Sequence, residues 1–80
     1  MTTVLAKLEA ALSEVVELDR QQEHGHAAAL LDSAIADSNR DWRGETDEHL
    51  LALAGLVQKC SAEADRQRRR QALLNTYLSR

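Results

Sequence analysis

The stretch that decides the fold of this 80-residue chain is residues 47–79, DEHLLALAGLVQKCSAEADRQRRRQALLNTYLS. It contains no proline, which would remove a backbone donor and clash with the preceding turn. Because Gly55 alone is a poor helix former there, we predict one continuous helix over residues 47–79. At about 1.5 Å per residue such a helix is roughly 50 Å long.

Apolar residues of this stretch recur every three or four positions, which places them on one helix face. This face comprises Leu50, Leu53, Val57, Cys60 and Ala64. Gln67 and Gln71 then interrupt it before Leu74 and Leu78 resume it. A first helix of about 20 residues cannot cover a helix this long. We therefore expect exposed apolar surface near the C-terminus.

Two shorter helices are predicted upstream, over residues 3–23 and 27–42. Thr2 or Thr3 can cap the first. A polar run over residues 19–26 separates them, and Gly25 can supply the left-handed conformation that ends a helix, although a helix running straight through Gly25 is the alternative. Ser38 and Asp41 resemble a capping box that would restart a helix.

The last turn before the long helix is predicted at residues 44–46. Gly44 can end the second helix and Thr46 can cap the third. Asp47 and Glu48 then lie in a first turn, where the helix dipole favours negative charge.

The composition indicates an all-α fold in a single domain, residues 1–80. The chain has no proline, no phenylalanine and three glycines, and Leu and Ala are strong helix formers. We predict either an antiparallel hairpin of two long helices or a slim three-helix bundle with a long C-terminal helix. So thin a core leaves little room for a substrate pocket, and small bundles often gain burial by pairing with another chain. We expect a homodimer or hetero-oligomer formed by helix packing.

Charge is distributed unevenly along the chain. Residues 1–50 carry four basic and eleven acidic side chains, whereas residues 51–80 carry six basic and two acidic ones. An antiparallel arrangement of the first and last helices would bring these opposite charges together. The alternative is that the basic segment binds an acidic partner or nucleic acid.

The densest basic cluster comprises Arg66, Arg68, Arg69 and Arg70. We predict a solvated, ion-paired face, with Asp65 pairing to Arg69 and with Glu14, Glu17 and Glu23 available across the bundle. No aromatic residues interleave with the arginines for base stacking, so nucleic-acid binding is the weaker alternative.

Metal, cofactor and catalytic sites are not predicted. His24, His26 and His49 lack nearby ligands at zinc-like spacing, so we interpret them as surface-loop residues. Cys60 lies on the apolar face, where a free thiol packs as a small hydrophobic group, and the chain has no partner cysteine for it. We expect no enzyme. Because residues 1–4 lack a basic leader and no apolar run approaches the ~20 residues of a membrane span, we expect a cytoplasmic protein.

Candidate binding residues lie at the end of the long helix. Leu73, Leu74, Tyr77 and Leu78 form an apolar stripe beyond the two glutamines. Trp42 is the other large aromatic residue, and such residues dominate binding hot spots when exposed. The Ala52 and Gly55 pair makes a notch where another helix could cross closely, although simple tolerance of a glycine explains it equally well.

The order of these elements resembles the small helical export chaperones of flagellar and related type III secretion systems, the FliT and FlgN kind. The similar parts are the Leu-rich first helix, the turn at Gly25, the second helix leading to Asp41-Trp42, and the arginine-rich long helix through residues 70–74. That resemblance implies a chaperone holding the amphipathic C-terminal helix of a secreted protein. From the residues, we expect protein binding through an apolar stripe, with the arginine-rich regulator as the alternative.

Overall fold

A computed structural model describes residues 4–44 and 46–78 of the chain. Within them, three α-helices follow in order: α1 Val4–Arg20, α2 His24–Asp41 and α3 Asp47–Leu78, with a 3-10 turn at Trp42–Gly44. The described residues contain no strand, so the all-α prediction is confirmed. The predicted caps Thr2 and Thr3 and the end at Ser79 lie outside the described residues.

The break between α1 and α2 is made by Gln22 rather than Gly25. Gln22 has a positive φ of 62°, and no described glycine does. The Glu23 amide donates to the Leu18 carbonyl at 2.8 Å and the Gln22 amide donates to the Asp19 carbonyl at 3.1 Å. These two bonds are the Schellman arrangement that closes a helix C-terminus. The prediction that Gly25 ends the first helix is therefore wrong, and Gly25 lies in the first turn of α2.

No new helix begins at Ser38, although Ser38 and Asp41 resemble a capping box. Ser38 is buried inside α2, and its carbonyl accepts a bond from the Trp42 amide. After the 3-10 turn, the Thr46 hydroxyl accepts a bond from the His49 amide at 3.4 Å, which caps α3 as predicted. Asp47 and Glu48 occupy the first turn of α3.

The helices pack as a three-helix bundle of 51 × 18 × 16 Å in which neighbours in sequence are antiparallel. Consequently α1 and α3 are parallel: the Cys60 thiol lies 3.9 Å from the Leu8 carbonyl oxygen, and Arg70, further along α3, binds Asp19. The antiparallel pairing of first and last helices considered above is therefore wrong. Opposite charges still meet, because Asp19 near the end of α1 and Asp32 in the middle of α2 bind arginines of α3.

The core consists of small and aliphatic side chains from all three helices. Its buried members are Val4, Leu8, Ala11, Val15, Ala27, Leu31, Ala34, Leu53, Cys60 and Ala64. Five of these are alanine or cysteine, so the helices can approach closely but bury little apolar area per residue. A bundle of this kind gains limited stability from its own core.

The long α3 helix extends past its neighbours. Its 32 residues span roughly 48 Å, whereas the 17 residues of α1 span roughly 26 Å. Exposed leucines occur at both ends of α3, with Leu51 and Leu78 each 81% exposed. The expectation of uncovered apolar surface near the C-terminus is confirmed, and the N-terminal end of α3 carries an exposed leucine as well.

Candidate protein-binding site

The C-terminal end of α3 presents a continuous apolar stripe. Leu73, Tyr77 and Leu78 are 57, 68 and 81% exposed, and Leu74 is half-buried. At about 100° per residue, these four side chains occupy an arc of roughly 140° on one side of the helix. The stripe is therefore as wide as the apolar face that a helix normally buries against a partner.

The stripe is uncovered for two reasons. Leu74 and Leu78 continue the inner face of α3 past the end of the bundle, whereas Leu73 and Tyr77 lie on the outer side of the helix. The α1–α2 turn meets α3 at Gln67 and Gln71, the two polar residues that interrupt its apolar face. Gln67 is 0% exposed, and the Gln71 side-chain oxygen accepts a bond from the Gly25 amide at 3.2 Å. That amide belongs to the first turn of α2, where backbone donors lack helical partners, so Gln71 caps α2 from a neighbouring helix. Residues beyond Gln71 have passed the end of α1 and α2.

Gln67 lies at the centre of a polar junction that joins all three helices. The His24 Nδ1 atom lies 2.7 Å from the Gln67 Oε1 atom and 3.3 Å from an Asp19 carboxylate oxygen, so Nδ1 carries the proton and donates. Gln67 Nε2 in turn donates to Asp19 at 3.2 Å and to Glu63 at 3.0 Å. No buried side-chain nitrogen or oxygen of the described residues lacks a partner. The junction is thus fully satisfied, which favours one register of α3 against the turn.

Asp19 is one of the two carboxylates in this junction. Its carboxylate accepts a bond from Arg70 at 2.5 Å as well as from Gln67. The hydrogen bond with Arg70 is the main cause of a lowered Asp19 pKa, and partial burial opposes it. Asp19 therefore remains ionised well into the acidic range and ties α1 to α3 at neutral pH.

The histidines do not share the environment predicted for them. His24 is buried in the junction at the start of α2, so its interpretation as a surface-loop residue is wrong. His26 and His49 are exposed as predicted, but they lie in α2 and α3 rather than in loops. Across residues 4–44 and 46–78, no group of three or more His, Cys, Asp or Glu side chains could hold a metal ion.

The arginine cluster divides into two pairs. Arg68 binds Asp32 of α2 at 2.9 Å and Asp65 at 2.6 Å, and these hydrogen bonds raise the Arg68 pKa. Arg70 binds Asp19 of α1. Each of these two arginines therefore fastens α3 to a different helix.

The other two arginines point away from the bundle. Arg66 contacts Glu63, one turn earlier in α3, at 2.9 Å. Arg69 is exposed and has no carboxylate partner among the residues that the structure describes. The predicted Asp65–Arg69 pair is replaced by Asp65–Arg68. The predicted acidic residues across the bundle are also replaced, because Asp19 and Asp32 supply those contacts.

Trp42 lies at the opposite end of the molecule from the stripe. It is 43% exposed, and the Arg43 guanidinium lies 5.7 Å from the centre of its ring. It forms one wall of an open apolar cleft of about 330 Å³ between α2 and α3. The other lining residues are Ser38, Asn39, Leu50, Leu53, Ala54 and Val57. Trp42 therefore belongs to a different surface from Leu73, Leu74, Tyr77 and Leu78.

Cys60 and Gly55, the two remaining residues considered in the sequence, have no feature that points to a site. Cys60 is completely buried, and burial raises the pKa of its thiol, as expected for a packing residue rather than a nucleophile. Gly55 is exposed, and a Cβ built there would meet nothing within 4 Å. No described helix crosses at the notch formed by Ala52 and Gly55.

In comparisons with known proteins, no protein-family model, no curated protein and no solved structure matches this chain. None of the helices among the described residues is both long and apolar enough to cross a bilayer.

Proposed function

We propose that this protein is a small, non-enzymatic cytoplasmic adaptor that binds an amphipathic helix of another protein. The stripe of Leu73, Leu74, Tyr77 and Leu78 is the surface that carries this proposal. In a chain of 80 residues with a thin core, a wide apolar arc exposed to water is unfavourable, and exposed apolar patches of this kind mark interaction sites. A partner helix laid along it would bury its leucines and the tyrosine by the helix-in-groove mode.

A secretion-type chaperone is the specific form of this proposal. A chaperone that holds export substrates needs a surface that remains open until the client arrives. The exposed stripe, together with a fold held by a satisfied polar junction rather than by the stripe itself, supports such a role. The resemblance to flagellar export chaperones suggests the kind of client, the amphipathic C-terminal helix of a secreted protein.

The alternative, a regulator that binds nucleic acid through the arginine cluster, is less well supported. Arg68 and Arg70 are occupied by Asp32, Asp65 and Asp19. Phosphate binding would have to displace these carboxylates or depend on the remaining arginines.

Site-specific photo-crosslinking tests the proposal in the cell that makes the protein. A benzophenone amino acid replaces Tyr77 in one variant and Val16, an exposed residue of α1, in a matched control. We expect position 77 to crosslink to a second polypeptide and position 16 not to. Equal yields at both positions, or no crosslink at position 77, would contradict the proposed function.

A further inference from the structure

The apolar stripe of α3 does not stand alone, because arginines continue it toward the middle of the helix. Arg66, Arg69, Leu73 and Tyr77 follow one another at intervals of three and four residues. These intervals place them along one exposed line of the helix. A partner helix that contacts Leu73 and Tyr77 would extend along the same line and meet the two arginines.

The two arginines on this line are the ones that the fold does not use to join its helices. Arg69 is exposed without a carboxylate partner among the described residues, and Arg66 contacts Glu63 of its own helix. Arg68 and Arg70, which face α2 and α1, hold the bundle together. The available positive charge therefore lies beside the apolar stripe.

We infer that the bound helix is an acidic amphipathic helix of another protein, with its carboxylates set against Arg66 and Arg69 and its apolar residues set against Leu73 and Tyr77. Opposite charges at the edge of an apolar contact direct binding and fix the register of the two helices. The inference rests on the proposed function. It adds the charge of the partner helix and the direction in which that helix extends from the stripe, along α3 toward Arg66.

A second copy of this chain fits the surface less well. A two-fold dimer that covered all the exposed apolar surface of α3 would have to bury both ends of the helix at once. The cleft lined by Leu53 and Val57 and the stripe at Leu73 and Tyr77 lie about half a turn apart around the helix, so one flat contact cannot cover both. A parallel contact along the exposed line would also set Arg66 and Arg69 of one copy beside the same arginines of the other, and like charges oppose such pairing.

Two synthetic peptides of 18 residues test the inference against the full-length protein by fluorescence anisotropy. Both carry the same leucine stripe, flanked by glutamates in one peptide and by lysines in the other. We expect the glutamate peptide to bind about tenfold more tightly at low salt, and the difference to shrink as salt rises. An Arg69→Glu substitution should abolish or reverse the preference, because Arg69 makes no contact that the fold needs.

A Lys7→Glu substitution is the matched control, since it changes the charge equally on an exposed residue of α1 beside α2. It should leave the preference unchanged. If both peptides bound equally well, and a Leu73→Ser/Tyr77→Ser variant bound neither, the inference of an acidic partner would be wrong. The proposed function would still stand, because the stripe would still bind an amphipathic helix. Binding of neither peptide, or tighter binding of a 20-nucleotide single-stranded oligonucleotide than of the glutamate peptide, would also overturn the inference of an acidic partner. Absence of a crosslink at position 77 would count separately against the proposed function.

Discussion

Gln67 shows how one buried polar residue positions the exposed C-terminal end of α3. It replaces an apolar residue on the inner face of α3 and bonds to side chains from α1, α2 and α3. Because His24 and Asp19 lie at the start of α2 and the end of α1, a shift of α3 by one residue would leave polar groups unpaired. The junction therefore determines where the bundle ends and where the exposed stripe begins.

The pH dependence of stability should reflect the Asp19–Arg70 pair. The lowered Asp19 pKa means that its contribution is complete above the ordinary value of 3.8 and is lost as pH falls through the lower folded-state value. We expect Arg70→Gln to reduce the free energy of unfolding by about 1 kcal/mol at pH 7. The difference from wild type should vanish in strong acid, where Asp19 is protonated in both proteins.

Urea unfolding at several pH values measures this difference. Arg69→Gln is the control, and it should show no such pH-dependent loss. If the Arg70→Gln difference were the same at pH 7 and in acid strong enough to protonate Asp19, the ion pair would not be its cause.

The sequence predicts which residues are apolar or polar on each helix but not which polar residues pair across helices. The polar run over residues 19–26 does contain the turn after α1, but the turn lies at residues 21–23 and its left-handed residue is Gln22, although Gly25 is the better candidate by conformational preference. Likewise, Gln67 and Gln71 were recognised as an interruption of the apolar face. Their role depends on the distance between α3 and the turn, which local patterns do not encode.

At the scale of elements, α3 combines a buried face with an outer face that varies along its length. The inner face is set by the three- and four-residue spacing, and this part of the fold was predictable. The outer face was not, because whether Leu51, Leu73 or Tyr77 is covered depends on where α1 and α2 lie around α3 as well as on how far they reach along it. Their shorter lengths leave the C-terminal end of α3 open, whereas Leu51 is exposed because it lies about 160° around the helix from the buried Leu53.

Replacing Gly55 with alanine should stabilise α3. A Cβ there meets no atom within 4 Å, so the substitution adds helix propensity and no clash. We expect a gain of about 0.5–1 kcal/mol in the free energy of unfolding. Thermal and urea unfolding of the purified protein measure it. A loss of stability would show that another chain packs against this glycine, as the close-crossing interpretation of the notch requires.

At the scale of the whole molecule, the contacts that stabilise the bundle are separate from the stripe that we propose binds a partner. The parts that hold it together are the small-residue core, the polar junction and the ion pairs of Arg68 and Arg70. Leu73 and Tyr77 lie beyond these contacts and remain exposed. The account therefore requires that the C-terminal stripe contribute little to the stability of the isolated chain.

The most direct measurement compares the free energy of unfolding of Leu73→Ser/Tyr77→Ser with that of Leu53→Ser, which alters a buried leucine of the same helix. Urea denaturation of the dilute protein gives both values. The account predicts that the double variant stays within about 0.5 kcal/mol of wild type, whereas Leu53→Ser loses more than about 2 kcal/mol. A double variant as unstable as Leu53→Ser would contradict it, because the stripe would then be part of the fold rather than a surface kept for a partner.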